Sequence, residues 1–176
     1  MIPAHALIDL DGTLTDPKPG IVGSVQRGLA DFGLPVPAFE DMLWVIGPPT
    51  RRSFPMLGVP PDRVEEAVAR YRAYYHDGAM FDAPVYDGIP EALDTLRAAG
   101  LRLVVATSKP HAFARPILDH FDLTRRFDAV YGAELDGRND DKGDLLEMLI
   151  AREGVDTSRA VMIGDRLFDV RAAQRH

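Results

Sequence analysis

The sequence contains no cysteine in 176 residues. That excludes disulfides, thiolate metal sites and cysteine nucleophiles. It also lacks a basic surplus. Lys and Arg total 20 against 27 Asp and Glu, a formal net charge of -7 with a pI near 5.2. A general nucleic-acid or acidic-membrane binder needs the opposite balance. A long apolar run is missing too, since no stretch approaches the roughly 18–20 residues of a membrane span. The opening residues show no charged start followed by a long apolar core, so no secretory signal is read there. The expectation is a cytoplasmic protein with no membrane or nucleic-acid partner. What is present is ordinary globular composition, 46% hydrophobic and 27% charged, in a length that suits one compact domain, or a domain with a modest insertion.

Four short apolar runs read as buried strands: Ala4–Leu10, Leu101–Ala106, Phe127–Tyr131 and Ala160–Ile163. Helical patterns lie between them at Glu91–Ala99, Ala112–Phe121 and Asp144–Glu153. Strands alternating with helices predict an α/β fold, a Rossmann-like doubly wound parallel sheet covered on both faces. Roughly ninety residues separate the first two strands, far more than one crossover needs. Within that interval Gly20–Phe32 and Asp62–Met80 are amphipathic at helical spacing. Residues 18–84 are therefore expected to form an inserted α-helical subdomain, and residues 1–17 and 85–176 the core. No internal repeat or low-complexity tract is visible.

Candidate chemistry collects at the strand ends, where open α/β sheets bind ligands. Asp9-Leu10-Asp11-Gly12-Thr13-Leu14 places two carboxylates two residues apart. Asp9 suits a nucleophile forming an aspartyl-phosphate. Asp11 suits the acid that protonates the leaving oxygen and the base that then activates water. Gly12 permits a tight turn and close approach to a phosphate. The bland alternative, a solvated Asp-Gly turn, does not account for the full string.

Thr107 and Ser108 offer a hydroxyl and backbone N–H groups to phosphate oxygens, although Ser/Thr before Pro110 also reads as a helix cap. Lys142 precedes a helical pattern and suits charge neutralisation; Lys109 ranks below it. Asp165, after the fourth strand, and Asp169 four residues on suit Mg²⁺, which takes one or two carboxylates and keeps several waters. Asp169 reads as a second or water-bridged ligand. The five histidines show no ligand spacing.

Asp9, Asp11, Thr107, Lys142, Asp165 and Asp169, in this order and spacing, resemble the haloacid dehalogenase superfamily over the whole chain. The second acid at Asp11 is similar to its phosphatases rather than its dehalogenases. The segments Pro19-Gly20-Ile21, Gly33-Leu34-Pro35 and Ile46-Gly47-Pro48-Pro49 resemble phosphoglycolate phosphatase-like members, some labelled 5′-nucleotidases. The resemblance implies a Mg²⁺-dependent phosphomonoester hydrolase of small phosphorylated metabolites. It also implies metal binding by the side chains of Asp9 and Asp165 and the backbone carbonyl of Asp11. It implies a C1-type cap that sets specificity, with Arg51 in the loop Gly47–Arg51 as the candidate for a substrate carboxylate. In that family a further strand and helix usually follow the Asp165 motif. Here the chain ends within a helical pattern running from Asp169 to His176, implying an absent C-terminal strand and an open edge beside the fourth strand. A phosphomutase, and a truncated phosphate-ligand-binding module without turnover, stay open as alternatives. The sequence does not give the oligomeric state.

Overall fold

The structure, a computed structural model, describes residues 3–176. Two compact units emerge, one from the chain up to Thr15 together with Val85–His176, the other from Asp16–Pro84.

The first unit is an α/β sandwich. Its four strands are β1 (His5–Ile8), β2 (Arg102–Pro110), β3 (Ala129–Ala133) and β4 (Ala160–Ile163), in the order β3-β2-β1-β4. All pairings are parallel. Helices α4 (Ile89–Ala98), α5 (His111–His120), α6 (Lys142–Glu153) and α7 (Leu167–Arg175) provide the crossovers and cover. Side chains of a strand alternate between faces, and the core follows that period. Leu7, Val104 and Ala106 face one way, onto Leu145, Leu146 and Leu149 of α6 and Ala172 of α7. Ala6, Ile8, Leu103 and Val105 alternate to the other face, where α4 and α5 pack on β2. β1 is apolar on both faces because it is hydrogen-bonded on both sides and covered above and below.

Register decides what meets at the sheet's carboxyl edge. Ile8 pairs with Val105 on one side and with Ile163 on the other. Asp9, Ala106 and Gly164 therefore follow at one level across three neighbouring strands. Asp9 donates its N–H to the Ile163 carbonyl at 2.9 Å.

The second unit is helical. α1 (Lys18–Asp31) and α2 (Thr50–Met56) each pack against α3 (Val64–His76). Ile21, Val25 and Leu29 form the buried stripe of α1. Phe54 meets Tyr71 edge-on, and Tyr71 stacks on Tyr75. Gly20 lets α1 pass close to the chain at Ala79, since a Cβ there would lie 2.1 Å from the Ala79 carbonyl oxygen.

Several boundaries differ from expectation. The first strand is four residues long, and Asp9 and Leu10 already belong to the turn. The second strand runs on to Pro110, so Thr107 and Ser108 lie inside it, at a register shift between Thr107 and Pro110. The third strand starts at Ala129, because Phe127 closes the 3-10 turn Thr124–Arg126. The expected helix Asp62–Met80 is broken into α3 and the 3-10 turns Pro61–Arg63 and Ala79–Phe81. Gly78, at φ 117, interrupts it. α6 begins at Lys142 rather than Asp144, because Asp141 caps it by accepting hydrogen bonds from the N–H groups of Gly143 and Asp144.

Candidate active site

The chain from Asp9 to Thr15 doubles back sharply. Leu14 and Thr15 donate their N–H groups to the Leu10 carbonyl, and Gly12 donates to that of Thr15 at 2.8 Å. Gly12 adopts φ +86, in the left-handed region. A Cβ on Gly12 would lie 2.4 Å from Asp165 Oδ2, so glycine here brings the two acidic segments together. Gly164 does the same within its own loop, where a Cβ would lie 2.2 Å from the Asp169 carboxyl carbon. The sequence reading did not single out Gly164. A glycine between a strand and a helix-starting acid was its signal.

Lys142 is buried, and three oxygens surround its ammonium. It donates a hydrogen bond to the Ala106 carbonyl at 2.7 Å. It lies 2.8 Å from Asp9 Oδ1 and 2.9 Å from Asp169 Oδ1. The start of α6 and the ends of β1 and β2 thus converge with the first turn of α7. Asp169 also accepts the Arg166 N–H on Oδ2 at 3.0 Å, which fixes the carboxylate at the helix start. Asp165 is more open, with Arg166 Nε 3.4 Å from its Oδ2.

Asp11 meets a different lysine. Lys109 Nζ donates to Asp11 Oδ1 at 2.9 Å and Oδ2 at 2.6 Å. The Lys109 side chain is 4% exposed and that of Asp11 18%. Burial pushes the Asp11 carboxyl above its ordinary range; the Lys109 ammonium pulls it back, and neighbouring Asp9 adds to the rise. Sequence reasoning ranked Lys109 below Lys142 and missed this pair. The signal was a lysine at the end of an apolar run, where a solvated side chain is not expected.

Thr107 is buried at the bulged end of β2, its hydroxyl accepting the Lys109 N–H at 3.2 Å. Half-buried Ser108 sits between them. Arg51 stands in the first turn of α2, in the helical unit, where its guanidinium binds Glu65 with two hydrogen bonds of 2.6 and 3.0 Å.

The carboxylates of Asp9, Asp165 and Asp169 each bring an oxygen within 4.8 Å of the others. Asp9 Oδ1 and Asp169 Oδ1 are buried and accept no hydrogen bond, their contact with Lys142 being ionic. The Lys142 ammonium already offsets those two oxygens, so what points to a metal is the donor set, three carboxylates that each offer an oxygen in one place. A hard, oxygen-seeking divalent cation fits this donor set. The Asp11 side chain lies outside the trio, turned to Lys109.

The profile of the haloacid dehalogenase-like hydrolases matches residues 6–176. The chain belongs to that family. Among curated relatives of this hydrolase, the 5′-nucleotidase of Pseudomonas aeruginosa is 44% identical over 173 residues, covering 98% of this chain and 78% of that protein. The tyrosine-protein kinase PtkA of Mycobacterium tuberculosis is 40% identical over 174 residues, and the chain spans 60% of its length. The phosphoglycolate phosphatase of Caulobacter vibrioides is 36% identical over 178 residues, covering 97% and 75%. A predicted phosphatase from Clostridium acetobutylicum superposes with a TM-score of 0.92 at 38% identity, covering 99% of this chain and 82% of that one. The hydrolase is of the phosphatase type, and family phosphatases generally use Mg²⁺. Among the described residues no helix is long and apolar enough to cross a membrane.

Proposed function

We propose that this hydrolase cleaves small phosphate monoesters with Mg²⁺, through a phosphorylated Asp9. The observation that carries the reading is the position of Asp9. Its carboxylate sits at the sheet edge against the Lys142 ammonium, within reach of Asp165 and Asp169, two residues before Asp11. Asp9, Asp165 and Asp169 would hold the cation, with the backbone carbonyl of Asp11. When bound, it supplies charge neutralisation that lets an anionic carboxylate meet an anionic phosphate.

The chain's own groups then divide the work. An Asp9 oxygen attacks phosphorus, the new Asp9 O–P bond forms, and the ester P–O bond breaks. Protonated Asp11 gives its proton to the departing oxygen. Water then attacks the same phosphorus and gives a proton to the Asp11 carboxylate. The Asp9 O–P bond breaks with its electrons returning to Asp9, and inorganic phosphate leaves. Lys142 offsets the charge of Asp9 throughout. Thr107 and Ser108, at the end of β2, would hold phosphate oxygens; the Gly12 N–H is already given to the Thr15 carbonyl, so Gly12 shapes the turn instead. The helical unit is proposed as the cap and Arg51 as its anion contact, which requires the guanidinium to exchange Glu65 for a substrate carboxylate.

The names of the relatives direct the substrate panel to phosphoglycolate and 5′-nucleotides. Phosphate release from these and from p-nitrophenyl phosphate is expected with Mg²⁺ and is expected to stop with EDTA. Asp9→Asn, close to isosteric, is expected to lower turnover by at least about 10⁴-fold while keeping the fold by circular dichroism. Full activity in that variant would exclude the covalent route. The relatives named as kinases motivate one further readout. If phospho-Asp9 passes its phosphoryl group to another hydroxyl, as a mutase or kinase would require, substrate disappears faster than free phosphate appears.

A further inference from the structure

Lys109 is buried without a part in the mechanism so far. We propose that it is a positioning residue for Asp11, pinning the ionised carboxylate in the pose from which it accepts the proton of the attacking water. The proposal rests on the phosphatase reading and adds a residue to it.

Three observations carry the assignment. First, the ammonium reaches both oxygens of one carboxylate, at 2.9 and 2.6 Å. One ammonium shared by both oxygens is a point charge that holds the carboxyl end in place. Second, the lysine backbone is held on several sides. Its N–H is bound to the Thr107 hydroxyl. Pro110 follows it, with φ restricted by the ring. Its carbonyl lies so near β3 that a Cβ on Gly132 would approach it to 2.6 Å. A lysine normally spends its long stem as conformational entropy; here the stem is buried, 4% exposed, and its root is fixed. Third, Asp11 stands on a turn that is itself tied down, Gly12 donating to the Thr15 carbonyl and Leu14 and Thr15 to that of Leu10. Acid and lysine thus meet from two fixed roots.

The two halves of the reaction use Asp11 in opposite states. Phosphorylation of Asp9 consumes the proton of Asp11 and leaves its carboxylate. Dephosphorylation takes a proton from water onto that carboxylate while the Asp9 O–P bond breaks. An ammonium bonded to both oxygens keeps the carboxyl group in place, so Lys109 serves the second half, where the base must meet an incoming water. General-base catalysis contributes about 10²–10⁴-fold when the base is placed. Loss of placement alone is expected to slow hydrolysis of phospho-Asp9 by at least about tenfold, with little effect on its formation from a good leaving group.

The test is rapid-mixing kinetics on the full chain with Mg²⁺ and p-nitrophenyl phosphate. Lys109→Met is expected to release about one equivalent of nitrophenol in a burst and then turn over slowly. Acid quenching is expected to trap phosphoenzyme that the unsubstituted protein does not accumulate, with kcat and KM falling together. Lys109→Arg, which can again span both oxygens, is expected to restore much of the second step. A raised KM with no burst would make Lys109 a substrate-binding group and overturn the proposal. Equal slowing of both steps would make it merely structural and overturn it likewise. If Lys109→Met does not fold, Lys109→Gln carries the same measurement. The parent reading fails separately: unsubstituted protein that yields neither nitrophenol nor phosphoenzyme is not an aspartyl-phosphate enzyme, and the role of Lys109 falls with it.

Discussion

The two buried lysines flank the Asp9 turn and are built on opposite principles. On one side Lys142, at the first position of α6, has its ammonium shared among the Ala106 carbonyl, Asp9 and Asp169. On the other, Lys109, at the bulged end of β2, gives its ammonium to both oxygens of Asp11. The first gathers three segments around one charge. The second bears on both oxygens of one carboxylate. A buried lysine can thus act as a hub for several segments or as a clamp on one acid. A hub should matter to the assembly of the site and a clamp to one step of its chemistry.

Removing each charge tests that distinction, and the hub should show the largest effect. Lys142→Met leaves the buried carboxylates of Asp9 and Asp169 facing each other without a cation. Breaking a buried ion pair from one side costs about 3–5 kcal/mol, read from urea unfolding without metal. Turnover should fall by at least about 10³-fold, since the phosphate loses a fixed countercharge. Lys109→Met should cost about 1–3 kcal/mol in the same unfolding experiment, because Asp11 retains some access to water, at 18% exposure. Equal losses of stability would erase the contrast between hub and clamp.

Two glycines, one against Asp169 and one against the Lys109 backbone, sharpen it further. A Cβ on Gly164 meets the Asp169 carboxyl at 2.2 Å, and one on Gly132 meets the Lys109 carbonyl oxygen at 2.6 Å. Gly164→Ala is expected to displace a proposed ligand and raise the Mg²⁺ concentration for half-maximal activity by about 10–100-fold. Gly132→Ala is expected to leave that requirement unchanged while slowing turnover, since its Cβ would meet the Lys109 carbonyl and the His111 backbone, neither of which carries a proposed ligand. A matching rise in Mg²⁺ requirement in both would show that the two sides are not mechanically separate.

Much of this architecture was legible from residue order. The α/β alternation and the strand Ala160–Ile163 carried the sheet, because parallel strands covered on both faces read as unbroken apolar runs. Asp9 and Asp165 were legible because each stands within two residues of a strand's end, and the register of Ile8 with Ile163 brings them together; Asp169, inside α7, was reached only through its spacing from Asp165. The clamp was not. Nothing local in Thr107-Ser108-Lys109 says that the strand continues to Pro110 or that the lysine turns inward. That depends on Gly132, more than twenty residues on, allowing β3 to approach. The break in the helix after His76 was equally hidden, since the apolar spacing runs on through Met80 while Gly78 alone changes hand. Periodicity reports burial, and neither strand bulges nor long-range pairs have a period.

Arg51 supplies the smallest expected effect and the contrast of an exposed charge. Its pair with Glu65 is bidentate yet open to water, at 38% and 69% exposure. The hydrogen bond from Arg51 holds the Glu65 carboxyl below its ordinary range. A lowered folded-state value means that the contribution is present above the unfolded value, about 4.3, and is lost as pH falls through the folded value. Arg51→Gln should therefore shift the urea midpoint only slightly at pH 7, and salt should shrink the shift. The difference from the unsubstituted protein should vanish once Glu65 is protonated. If Arg51 meets a substrate carboxylate as proposed, the same variant raises KM for phosphoglycolate and leaves KM for p-nitrophenyl phosphate, which has no carboxylate, unchanged. A midpoint shift as large as that of Lys142→Met would mean that exposure does not separate the cations that build this molecule from those that decorate it.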